Sequence, residues 1–172
     1  MMLLPLIAIG LVPQASSVTR PVHVVQQADA MTDDKIIAAV AETLKGDQAI
    51  SVVCSPADQY LQVVFQTPDY LGADPHWNRQ EISYRFDRRP AVTATWNMER
   101  HAAHLENTKL VTAFIREMMS AKRILLRVTD YSGEDHDYSF DLTQAKPAIA
   151  EVVRACGDTK VAQALAADLA AD

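Results

Sequence analysis

The chain has 172 residues, 49% hydrophobic and 22% charged, which is the composition of one folded domain and excludes a wholly disordered chain. Its 16 lysines and arginines stand against 22 acidic residues, a formal charge of −6. The densest basic stretch, Arg85 to Arg89, is broken by Phe86 and Asp87, so nothing offsets the repulsion of a phosphate backbone, and no nucleic-acid partner is expected.

Residues 1–17 read as a secretory signal peptide. Met1 to Pro13 form an apolar stretch too short to span a bilayer, and Gln14-Ala15-Ser16-Ser17 follow it with small residues of the kind a signal peptidase accepts. A buried first strand or helix is the competing reading, because no Lys or Arg precedes its apolar core. Cleavage implies a mature chain beginning near Ser16 to Val18 and no transmembrane anchor thereafter. Residues 18–157 are expected to form a single α+β domain, and residues 158–172 an Ala-rich tail able to form a last helix.

Residues 18–30 read as an extended lead-in. Lys35 to Leu44 supports two assignments. Ile36, Ile37, Val40 and Leu44 recur at helical spacing, with Thr32 to cap and Gly46 to stop; a strand over Lys35 to Val40 fits as well. Period-two alternation then predicts strands through Ile50, Val52 and Cys54, through Leu61, Val63 and Phe65, and through Ile82, Tyr84 and Phe86. Val92, Ala94 and Trp96, then Ile124, Leu126 and Val128, then Tyr138, Phe140 and Leu142 continue the pattern. Turns fall at Ser55 to Asp58 and Asp87 to Pro90.

Leu110, Val111, Phe114, Ile115 and Met118 predict a helix over 108–121. Ile149, Val152, Val153 and Cys156 predict a second over 147–156, with Pro147 in its first turn and Gly157 as its stop. Short strands with hairpin-sized connections imply an antiparallel curved sheet or open β-sandwich with two or three covering helices.

The two cysteines, Cys54 and Cys156, read as a disulfide in an exported chain. One lies on the inner face of a strand and the other on the apolar face of a helix, so a helix-to-sheet bridge is expected. No Cys-x-x-Cys spacing supports a redox or zinc motif.

Candidate chemistry is sparse. His101 and His104 would share a face if their segment is helical, and His76 and His136 fall in loop-like stretches. Zinc needs three or four converging ligands, which this spacing does not supply, so no metal or other cofactor is expected. Asp33, Asp34, Glu134, Asp135 and Asp137 read as turn residues, and Asp141 as a cap for a helix beginning near Thr143. Ser83 and Ser139 lack a nucleophile elbow. Trp96 and Phe140 read as core residues, and Trp77 as a candidate contact residue. No catalytic residue is assigned.

Several segments in order resemble the VasI-type family, exported proteins of bacteria associated with type VI secretion. They are Met31-Thr32-Asp33-Asp34-Lys35, Ile50 to Cys54, Tyr70-Leu71-Gly72, Ile82 to Asp87, Trp96, Phe114-Ile115, Leu126-Arg127-Val128, Phe140-Asp141-Leu142, and Ala148-Ile149 leading to Arg154-Ala155-Cys156. The chain departs from the family pattern at Val22 to Val25, where a Trp is common, at Val53, where Arg is usual, and at Gly157, where an aromatic is common. The resemblance implies a noncatalytic periplasmic accessory or interaction protein whose partner is another envelope or secretion-related protein. An exported small enzyme, an inhibitor or a ligand-binding module is the alternative.

Overall fold

A computed structural model of the chain describes residues 20–28, 30–58, 60–72, 79–157 and 159–170. The signal-peptide segment, His76 and Trp77 lie outside the described residues. The described chain is α+β, with one antiparallel sheet covered by three helices.

The strands are β1 (His23–Ala28), β2 (Lys35–Glu42), β3 (Ala49–Ser55), β4 (Tyr60–Gln66), β5 (Arg79–Phe86), β6 (Val92–Glu99), β7 (Ala102–Leu105), β8 (Arg123–Thr129) and β9 (Asp135–Asp141). Their order across the sheet is β1-β2-β3-β4-β7-β6-β5-β8-β9. The helices are α1 (Thr108–Ser120), α2 (Ala145–Ala155) and α3 (Lys160–Leu169).

Strong curvature follows from one contact. The Phe65 ring of β4 packs 4.8 Å from Tyr138 and 6.3 Å from Phe140, both on β9. Four strands separate β4 from β9, which in a flat sheet would place them about 24 Å apart. The sheet therefore folds over its own inner face. Its two ends also meet, where Val22 N–H donates to the Thr143 carbonyl at 3.2 Å.

The ambiguous segment is a strand. Ile37, Ala39 and Ala41 are buried on the inner face, while Ala38 and Val40 are half-buried on the outer. β2 is apolar on both faces, so its sequence lacks the alternation that marks a half-buried strand. Branched Ile36, Ile37 and Val40 favour extended backbone, and pairing with both β1 and β3 secures it. Thr32 Oγ1 accepts from Asp34 N–H in the preceding turn, and Gly46, at φ +70°, closes a turn onto Thr43. The supposed helix signals are turn signals.

Asn107 starts α1, its side chain accepting from Lys109 and Leu110 N–H at 3.1 and 3.2 Å. Phe114 then inserts among Tyr84, Phe86 and Trp96, with ring centroids 4.8, 5.1 and 5.7 Å away. α2 lies over β1, β2 and β3, and Gly157 follows it at φ +64°, a conformation glycine adopts without strain. The tail forms α3. Thr159 caps it through Ala162 N–H, its Leu165 is fully buried, and Arg116 of α1 holds Asp168 at 2.7 Å.

Cys54 and Cys156 are disulfide-bonded, with Cα atoms 5.7 Å apart and a sequence separation of 102. Both are buried. The bridge ties the end of α2 to β3, joining sheet and helix as their two apolar faces anticipate.

Candidate functional site

Two groupings of polar side chains arise from this fold, one on the outer sheet face and one at the rim of the core.

The outer grouping is a product of register. His23, Val40, Ser51, Val64, His104, Asn97 and Arg79 are successive cross-strand partners and form one row across seven strands. The row is apolar toward β2 and polar from β7 to β5. Arg79 Nε donates to Asn97 Oδ1 at 3.3 Å, and Asn97 Nδ2 donates to Glu106 Oε2 at 2.6 Å. His104 Nε2 is shielded from solvent and lies at ion-pair distance, 3.4 Å, from Glu99 Oε2, with no hydrogen-bond partner among the described residues.

β7 is only four residues long, whereas β4 has seven and β6 has eight. β7 pairs with Val63–Gln66 on one side and Asn97–Glu99 on the other. Past Leu105 the chain leaves the sheet for α1. A cleft of about 850 Å³ opens there, lined by Tyr60, Gln62, Arg79, Glu99, His104 and Glu106 among others. It continues into a space of about 410 Å³ beside Thr95, Asn107 and Leu110.

The rim grouping centres on the β8–β9 turn. Asp130 Oδ1 accepts from Ser132 N–H, Ser132 Oγ and Glu134 N–H at 2.8, 2.6 and 3.0 Å. His136 Nε2 meets Asp130 Oδ2 at 2.9 Å. Hydrogen bonds from Ser132, then His136, then Glu134 hold the Asp130 carboxyl far below its usual range, and the bond to Asp130 raises His136 above its ordinary value. Beside them Tyr138 donates to Asp69 Oδ2 at 2.8 Å, and burial first, then the Asp69 carboxylate, pushes its hydroxyl up to about 12. Asp69 also accepts from Thr67 Oγ1 at 3.0 Å.

Asp130, Glu134 and His136 bring one ligand atom each within 4.8 Å of one another, closer than a spacing that promised no converging ligands. Both Asp130 oxygens are nevertheless engaged in shaping the turn.

The remaining candidates scatter. The segment carrying His101 and His104 is not helical, so the shared helix face does not exist. His104 lies on β7, and His101 sits in the turn before it, with Nδ1 3.1 Å from the Asp69 carbonyl. A short middle strand there joins β4 to β6, and four residues are too few to show a period. His136 is not in a loop but on β9, with Asp135 and Asp137. Asp135 accepts from Thr129 Oγ1, and Asp137 takes a two-pronged bond from Arg127, both prongs at 2.7 Å. That arginine holds the Asp137 carboxyl below its usual range. Asp33, at φ +59°, shapes the turn before β2 beside Asp34, and Asp141 accepts from Thr143 N–H ahead of α2 rather than capping the helix itself. Ser83 Oγ is bonded to Thr93 Oγ1 at 2.9 Å, and Ser139 pairs with Leu125 in register. Trp96 and Phe140 are fully buried core residues, as expected.

Sequence reasoning passed over Asp69, Arg79, Asn97, Glu106 and Asp130. Only Asp130 carried a local signal, the turn sequence Asp130-Tyr131-Ser132-Gly133. No helix among the described residues is long and apolar enough to cross a membrane. No family model matches the chain, and no curated protein or solved structure matches it.

Proposed function

We propose that this chain is a noncatalytic interaction protein of the bacterial periplasm, an accessory to envelope or type VI secretion machinery. The observation that carries the reading is the Cys54–Cys156 bridge. Structural disulfides persist where thiols stay oxidised, outside the reducing cytosol. The apolar, signal-like start of the sequence and the ordered resemblance to VasI-type proteins point to the same compartment.

An interaction role is supported by how the polar groups are used. Asp130 shapes a turn, Asp137 holds Arg127, and Asp69 holds Tyr138. These carboxylates serve the fold, while a broad cleft of about 850 Å³ opens on the outer sheet face. The test is the full chain expressed with its own start, alkylated in the periplasmic fraction, and carrying a photo-crosslinking residue at scattered surface positions. Oxidised cysteines and a discrete protein adduct are expected. Reduced thiols in a cytosolic chain, or a surface that yields no adduct, would overturn the proposal.

A further inference from the structure

Resting on that interaction role, we propose that the cleft receives an extended, basic segment of the partner protein, added as a strand along the open side of β6. Val92–Trp96 pair with β5 on one side. On the other side β7 reaches only Asn97–Glu99, so no described strand follows Val92–Trp96 there. Alternate residues of an antiparallel strand turn N–H and C=O to opposite sides. This stretch therefore directs backbone donors and acceptors toward the line that β7 leaves when it turns into α1. An unpaired edge of this kind is a template for strand addition, in which backbone bonds give affinity and alternate side chains give specificity.

Space and charge define the guest. The recess beside Thr95, Asn107 and Leu110 continues the larger cleft along this edge. Val92 and Leu110 are 50% and 37% exposed, giving an apolar contact for one face of an added strand. On the outer rows, Glu81 stands opposite Thr95, and Glu99 and Glu106 line the cleft. Against these three carboxylates stand Arg79, already bonded to Asn97, and His104. The excess of negative charge selects a segment that alternates apolar residues with Lys or Arg.

The experiment uses the full chain in its native envelope, with benzoylphenylalanine placed at Thr93, at Thr95, or at Ala164 on the distant α3. Crosslinked peptides are sequenced. Adducts are expected from Thr93 and Thr95 on a segment with Lys or Arg at alternate positions. The crosslinked position should shift by about two residues, in the antiparallel sense, when the probe moves between those sites. Glu81→Lys with Glu106→Gln should lower adduct yield ~10-fold with the melting temperature held, because Glu81 is exposed and the glutamine amide oxygen still accepts from Asn97. Adducts that map to acidic or helical segments, or that ignore the charge changes, would overturn the proposal. Adducts from Ala164 with none from β6 would overturn this site and leave the interaction role standing. No adduct from any position would remove both.

Discussion

Replacing Cys54 and Cys156 together by alanine severs the covalent link between the end of α2 and β3. The bridged residues are 102 apart in sequence, and closing a loop of that size restricts the unfolded chain by about 4.7 kcal/mol in the entropic account, with measured losses of about 2–5 kcal/mol. Both sulfurs are buried, so their lost packing sets the expected value in the upper part of that range. A loss of ~3–5 kcal/mol is large beside a total of about 5–15 kcal/mol. At about 2–4 °C per kcal/mol for a chain of this size, the melting temperature should fall by about 6–20 °C. Urea unfolding followed by circular dichroism measures the free-energy loss, and a thermal scan the fall in melting temperature. The unfolded variant has no cross-link and exposes more surface, so the urea dependence should steepen as the midpoint falls. Reduction of the wild-type chain removes the cross-link but keeps both sulfurs, so it should give a shift in the same direction, smaller by their packing contribution. A double variant within about 1 kcal/mol of wild type, with unchanged urea dependence, would mean that the bridge does not restrict the unfolded chain.

Three further outcomes are expected. The raised His136 contributes stability below its ordinary pKa of 6.5 and loses it as pH rises through the higher folded value; the lowered Asp130 contributes above 3.8 and loses it as pH falls. Stability should therefore decline on both sides of that window, and His136→Ala should flatten the alkaline arm in urea titrations across pH; an unchanged arm would show that the pair does not form. Asp87 sits at φ +51° and accepts from Lys122 and Arg123 N–H at 3.0 Å each, so Asp87→Gly should cost about 1 kcal/mol less than Asp87→Ala in the same assay, and equal costs would contradict this. Phe114→Ala should cost about 3–5 kcal/mol in thermal unfolding, because it empties the space among Tyr84, Phe86 and Trp96; a loss under about 1.5 kcal/mol would mean that α1 docks by other contacts.

Much of the fold could be read in advance because most strands bury one face. Ile82, Tyr84 and Phe86 are buried while Arg85 is exposed and Ser83 half-buried, which is the alternation the sequence displays. β2 stayed open between helix and strand because both of its faces are apolar, and β7 escaped because it is four residues long with a histidine on its outer face. The disulfide was legible because each cysteine lies in phase with apolar neighbours on its own element. The cleft was not, because it depends on β7 lying between β4 and β6 and ending before either. Strand order and unequal strand length are properties of pairing, and no local spacing around Arg79, Asn97 or Glu106 records them. The Asp130 turn is the reverse case: its signal was local, but its meeting with His136 needed the β8–β9 register to bring it about.

The proposed function requires export into an oxidising compartment, which the intact mass of the chain recovered from the periplasm reports. The expected species begins near Ser16 to Val18, is lighter by the hydrogens lost to the Cys54–Cys156 bridge, and takes up thiol label only after reduction. A chain that retains Met1, stays in the cytosol and labels at both cysteines without reduction would contradict that export.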